Sequence, residues 1–263
     1  MKKETKHTFV ILAYNKSKYI DACIQSLNAQ TVKSNILIST STPSDFLEQL
    51  GEKYKIPIKI NPIRNGIATD WSFAYNISQS KYLTLAHQDD LYLPEYVEQC
   101  VQSAENSRQN LITFTNYLEL YDDRLHNNSL VLRIKRMILL PFFINRIHLA
   151  NPFLKKLLLS FGNPVCCPTI MYNRQKIGKF IFNNDFQMNL DWEAALRLAS
   201  VKGAFTYNRN KLLIRRLHSE SESTISLENN NRLQEDLKVF NSVWPHSIAR
   251  ILMKIYVKCY QYY

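Results

Sequence analysis

Short apolar blocks alternate with one-sided apolar stripes along the first half of the chain. "HTFVILAYN" (His7 to Asn15) is continuous and β-branched, the mark of a strand buried on both faces, and it ends in a polar turn. "SKYIDACIQSLNAQ" then puts Ile20, Cys23, Ile24 and Leu27 on one helical face, with Ser17 as the expected N-cap. The alternation continues with the strand "NILIST" and the helix "PSDFLEQLGEKY", which Ser44 should cap, with Gly51 near its end. It runs on through the strand "IPIKINP", the helix "ATDWSFAYNISQS", the strand "KYLTLAHQDD", the helix "LPEYVEQCVQSAENS" with Pro94 in its first turn, and the strand "NLITFTNYLELYDD". Strands alternating with helices of this length predict an α/β fold, a mostly parallel sheet with crossover helices. In such sheets ligands bind beyond the carboxyl ends of the strands. "AYN", "STSTPS" and "HQDD" all fall at such ends, so three polar turns should share one rim.

The second half is less regular. Apolar runs punctuated by single basic residues are expected to break at Pro141 and Pro152. "PTIMYNRQKIG" reads as strand and turn, "DWEAALRLASVKG" as a helix, and "AFTYNRNKLLIRRLH" as a hairpin or paired strands. A polar loop, a helix and the amphipathic "SIARILMKIYVKCYQYY" close the chain.

Charge sharpens this division. The net charge is +11 over 263 residues, yet no Asp or Glu occurs between Arg124 and Lys179, and none after Asp236. A basic second half suits an anionic partner. Its basic residues are interleaved with Leu, Ile and Phe, which fits an anionic membrane surface better than nucleic acid. Apart from that, these apolar residues would pack on the sheet or form a homo-oligomer interface. No run approaches the roughly 20 apolar residues of a membrane span, and no signal peptide is expected in "MKKETKHTFVILAYN". Five scattered cysteines without zinc spacing point to reduced thiols and a cytoplasmic setting. Neither a Gly-x-Gly-x-x-Gly nor a Walker A sequence is present.

Adjacent carboxylates behind a buried strand, as in "HQDD", are costly unless a cation or a water-filled cleft receives them. Together "FVILAYNKSKYIDACIQSLNAQT", "KYLTLAHQDDLYLPEYVEQ", "LDWEAALRLA" and "RRLH" resemble a family 2 glycosyltransferase of the GT-A fold, of the bacterial surface-polysaccharide type, over about Thr8 to His218. The resemblance implies a Rossmann-like, mostly parallel sheet flanked by helices, with a helical basic and apolar C-terminal part. It implies a nucleoside-diphosphate sugar donor, Mn²⁺ or Mg²⁺, inversion at the anomeric carbon, and one catalytic carboxylate. On it, residues 1–123 form the donor half, 124–225 the acceptor side and 226–263 C-terminal amphipathic helices. The family's Asp-x-Asp element is His87-Gln88-Asp89 here, followed by Asp90, so Asp89 is the expected metal ligand, with His218 completing the site. Arg215 or Arg216 would meet the diphosphate, one pointing in and one out. The base should be Asp191, where Leu190 replaces the preceding acid; Glu193 is the fallback, about 200° away around a helix. Ala13, Tyr14, Asn15, Thr40, Ser41, Gly66, Asp70, His87 and Asp90 are the other expected donor contacts, and the acceptor is expected to be a saccharide, lipid-linked, at the inner membrane face. Missing acids in two motifs leave a second reading open, an inactive relative serving as a partner subunit.

Overall fold

In the computed structural model, residues 5–107, 109–218 and 231–260 are described. The strands are β1 (His7–Ala13), β2 (Asn35–Thr40), β3 (Ile58–Ile60), β4 (Tyr82–His87), β5 (Leu91–Tyr92), β6 (Asn110–Tyr121), β7 (Arg124–His126), β8 (His148–Leu149), β9 (Met171–Asn173) and β10 (Ala204–Arg216). The helices are α1 (Ile20–Asn28), α2 (Asp45–Tyr54), α3 (Ile67–Ile77), α4 (Tyr96–Glu105), α5 (Leu130–Phe143), α6 (Pro152–Leu159), α7 (Arg174–Ile177), α8 (Leu190–Ser200), α9 (Asn231–Val243) and α10 (His246–Tyr260).

One sheet runs in the order β3-β2-β1-β4-β9-β6-β10-β5, with β7 on β6 and β8 on β10. The long pairings, β1 with β2 and β4 and β6 with β10, are parallel. Antiparallel pairings are short and involve β5, β7, β8 or β9. The continuous apolar run of β1 has the predicted cause. Phe9 and Ile11 pack with α1, α2 and α4 on one face, while Val10 packs with α3, α6 and α8 on the other.

Three local expectations are corrected. The last sheet element is one 13-residue strand, not a hairpin. Its polar "NRN" is absorbed as a bulge: Asn208 faces Thr115 and Lys211 faces Asn116, leaving Arg209 and Asn210 extra. Arg209 uses the bulge to donate to the Phe143 and Ile144 carbonyls at the end of α5. Pro141 lies inside the last turn of α5, and Pro152 starts α6 at its first turn under an Asn151 cap, so neither breaks a helix. Ser17 is not the α1 cap; its hydroxyl accepts the Tyr19 N–H. Gly51 does lie near the end of α2, and Lys55 supplies the left-handed residue that ends it.

The basic stretch is also less of a surface than its composition suggests. Lys155 is fully buried and donates to the Val201 and Gly203 carbonyls behind α8, and burial lowers its ammonium to about 8. Arg136 is tied to Asn116, Asn127 and the Asn127 carbonyl. The C-terminal helices join the main core through Val239, Phe240 and Ala249. Among the described residues no helix is long and apolar enough to cross a membrane.

Candidate active site

A cavity of about 1010 Å³ opens beyond the carboxyl ends of β1, β2 and β4 and reaches across to the start of α8. Parallel strands place their terminal turns side by side, so the three polar turns do share one rim.

The rim is tied together by side chains. Gln88 accepts the Tyr14 N–H and donates to the Tyr14 carbonyl, both at 3.1 Å, joining the ends of β4 and β1. Asn15 adopts a positive φ of 53° and donates its N–H to Thr42. Tyr14 is 54% exposed at the mouth, a free aromatic face. Asp70, in the first turn of α3, accepts from Ser41 Oγ at 2.7 Å and Asn61 Nδ2 at 2.8 Å. Gly66 lies just before that helix at φ 81°, where a side chain would strain the backbone. Ala13, Tyr14, Asn15, Ser41, Gly66 and Asp70 all line the cavity. Thr40 does not: it is buried, and its hydroxyl accepts the Thr42 N–H.

His87, Asp89 and Asp90 present ligand atoms within 4.8 Å of one another. Asp89 Oδ2 lies 3.1 Å from His218 Nε2. Asp90 is 2% exposed and accepts the Arg216 N–H at 2.9 Å, which locks the end of β10 onto the end of β4. Arg216 also donates to the Asp89 carbonyl and lies over the Tyr19 ring. Arg215 and Arg216 both line the cavity, so the expected in-and-out split is not observed; β10 ends here and the alternation ends with it.

Burial opposes the Asp89 charge, yet the His218 hydrogen bond and the nearby imidazoles outweigh it and hold the carboxyl below its ordinary range. Burial pushes Asp90 well up, and the Asp89 charge adds to this. Burial lowers His87. A carboxylate beside imidazoles is a donor set that fits a divalent cation, and its nitrogen atoms suit Mn²⁺. Asp89, His87 and His218 could hold such an ion, with Asp90 behind them.

Asp191 stands on the opposite wall, in the first turn of α8. Its Oδ1 accepts the Trp192 N–H and its Oδ2 accepts from Asn163 Nδ2 at 2.9 Å. Burial raises its carboxyl, with Lys135, those hydrogen bonds and Arg232 acting in the other direction. The start of α8 is gripped from far down the chain. Glu235 of α9 accepts the backbone N–H groups of Gln187, Met188 and Asn189, and Asn189 donates to Asp236. Glu193 pairs with Arg197 at 2.7 Å, and no part of it lines the cavity. Trp192 is buried, its indole N–H on the Leu159 carbonyl, so it packs rather than offering a sugar platform.

Sequence reasoning missed Gln88, Asn163, Lys135, Arg232 and Glu235. Gln88 lay in plain view between two motif residues. The others carry no local signal, because their partners are distant in sequence.

Comparison with known proteins agrees with this geometry. Residues 8–182 match the profile of Glycosyl transferase family 2. An "uncharacterized glycosyltransferase" of Haemophilus influenzae is 25% identical over 260 residues, covering 89% of this chain and 77% of that protein. The S. aureus TarS crystal structure superposes with a TM-score of 0.61 at 12% identity, covering 94% of this chain but only 42% of TarS. TarS 1-349 in complex with UDP-GlcNAc gives 0.62 at 13%, covering 94% and 70%. The Pyrobaculum calidifontis mannosyltransferase PcManGT, in complex with GDP-Man and Mn²⁺, gives 0.57 at 9%, covering 92% and 64%. The sheet and helices are those of the GT-A fold. With two thirds of its length inside the profile, the chain belongs to glycosyl transferase family 2 and is a glycosyltransferase.

Proposed function

We propose that the chain moves a sugar from a nucleoside-diphosphate sugar to a saccharide hydroxyl by one inverting displacement. The observation that carries this is the placement of the Asp89–His218 pair and Asp191 on facing walls of one cavity. Tyr14 offers a face for the nucleobase, and the Ser41–Asp70 pair offers polar groups to the ribose or sugar. A divalent cation bound at Asp89, His87 and His218 would act as a Lewis acid on the leaving diphosphate. Arg215 adds positive charge beside it. Asp191 takes the proton of the acceptor hydroxyl as its oxygen bonds to the anomeric carbon, and the bond to the diphosphate oxygen breaks on the opposite side. A carboxyl raised by burial is a stronger base than one in water, which suits the task.

The complexes of TarS with UDP-GlcNAc and PcManGT with GDP-Man support the donor class and leave the base open. Support for a lipid-linked acceptor at the inner membrane face, and for a role in surface polysaccharide assembly, comes from exposed apolar side chains beside basic ones. Met137 and Leu140 of α5, and Ile144 just after it, lie outward on the same stretch as Arg133, and Ile248, Ile251 and Ile255 of α10 on the same helix as Arg250 and Lys254. Salt-sensitive flotation with anionic liposomes is expected, and its absence would remove the membrane from the picture.

Thermal unfolding with a panel of nucleoside diphosphates, with and without Mn²⁺, tests the core of the proposal. A ligand at about 100 times its Kd adds about 2.7 kcal/mol. One nucleotide should stabilise in a Mn²⁺-dependent way, and Asp89→Ala should abolish this. No shift with any nucleotide would sink the donor assignment and favour an inactive partner subunit.

A further inference from the structure

A second pocket, of about 220 Å³, lies between α5 and the sheet. The helix separates it from the large cavity. Ile134, Lys135 and Ile138 line the large one, whereas Arg136, Leu139, Leu140 and Phe143 line the small one. Asn116 of β6 and Tyr207 and Arg209 of β10 complete it.

Its polar groups are donors in want of an acceptor. The Tyr207 side chain is only 7% exposed and packs on the Phe114 and Phe143 rings, yet its hydroxyl makes no hydrogen bond among the described residues. A buried hydroxyl left without a partner weakens a fold. Asn116 has its Oδ1 fixed by the Tyr117 N–H and the Arg136 Nε–H, while its Nδ2 finds no acceptor among the same residues. Arg209 donates through Nη2 to the two carbonyls at the end of α5, and its Nε and Nη1 are likewise without an acceptor there.

Charge points the same way. Arg136 spends its N–H groups on carbonyl and amide oxygens, so its hydrogen bonds are made but its charge is not neutralised. Among the described residues neither Arg136 nor Arg209 forms an ion pair. Burial raises the Tyr207 phenol, and Arg136 and Arg209 act in the other direction, so both charges stand near its hydroxyl. A guanidinium has no lone pair to receive the phenol proton.

We propose that this pocket is a phosphate site, in which Tyr207, Asn116 and Arg209 donate to the phosphate oxygens and Arg136 adds its charge. Free phosphate or a phosphomonoester carries about −1.5 to −2 near neutral pH, which two guanidiniums match, whereas a carboxylate brings a single charge. The bound group would fasten α5 to β6 and β10 at once. The chemistry has two sources. One is inorganic phosphate; the other is a phosphomonoester lipid whose chains lie on Leu140, 56% exposed at the pocket.

Equilibrium dialysis of the full chain against radiolabelled inorganic phosphate probes the free source. Flotation with phosphatidylcholine vesicles, with and without phosphatidate, probes the lipid source. Wild type should take up at least one of the two probes. Tyr207→Phe removes only a hydroxyl that bonds to no described residue. Its ligand-free melting temperature should therefore equal or exceed that of wild type, while the probe binds about 10-fold more weakly. Arg209→Gln should weaken the probe at least as much. Uptake of neither probe would overturn the proposal and leave the hydroxyl to water alone. Equal uptake by Tyr207→Phe and wild type would overturn it as well, since the phosphate would then sit in the large cavity or on the general basic surface. Neither result depends on sugar transfer, whose failure shows separately as a wild-type protein that no nucleotide stabilises.

Discussion

The two walls of the cavity are built in different ways. The wall assigned to the donor is made mainly of strand ends and the turns that follow them, and these brace one another: Gln88 on Tyr14, Thr42 on Asn15, Asp90 on Arg216. The wall assigned to the acceptor is assembled from a helix start held by a loop and by another helix. Asp191 leans on Asn163, 28 residues away, and its helix start hangs on Glu235, 46 residues from Asn189. The donor wall is therefore a property of the sheet, and the acceptor wall a property of helix docking.

Substitutions on the two walls should fail differently. Asp191→Asn removes the proposed base while keeping its volume. It should lower kcat by about 10²- to 10⁴-fold with nucleotide binding intact. A steady-state assay paired with nucleotide titration measures both, and activity near wild type would exclude Asp191 as the base. Glu235→Ala strips three backbone N–H groups of their side-chain acceptor. A loss of about 2–4 kcal/mol of stability is expected in urea unfolding. Activity should fall through a misplaced Asp191, while the Mn²⁺-dependent nucleotide shift persists in the folded fraction. Equal loss on both walls would erase the contrast drawn here.

Two pH effects separate the walls further. As the proposed base, Asp191 must be ionised, and its carboxyl is raised by burial. Activity should be full above that raised value and decline as pH falls through it, at higher pH than for an ordinary carboxylate. The limb should be absent from the residual activity of Asp191→Asn. His7 lies beneath the donor wall, fully buried between Ser34 and Thr84, and burial lowers it to about 3. The unfolded state takes up a proton near the ordinary imidazole value of 6.5 while the folded state does not. Its contribution is therefore full above that value and is lost as pH falls toward 3, by up to about 1.4 kcal/mol per pH unit. Urea unfolding of His7→Gln between these limits should show a shallower acid slope; an unchanged slope would assign the acid sensitivity elsewhere.

The same contrast explains what could be read from the residues alone. The β1 run, the α1 stripe and the "HQDD" strand end are local patterns, and periodicity places them without tertiary information. The rim followed, because parallel strands must align their ends. The "NRN" of β10 looked like a turn, since the same residues that favour turns also favour bulges. Lys155 looked like surface charge because nothing local shows the carbonyls it serves. Thr40 and Ser41 were equivalent as letters; only the twist at the end of β2 turns one hydroxyl into the cavity and the other into the frame.

The grip of α9 on the start of α8 has a consequence for synthesis on the ribosome. Every residue of the β1–β4 rim has left the exit tunnel long before Glu235 emerges. A nascent chain can thus form the strand-end rim while Asp191, the proposed base, still lacks its anchor. Competence arrives with the last helices, so an incomplete chain ending before residue 231 would hold a donor without the means to spend it on an acceptor.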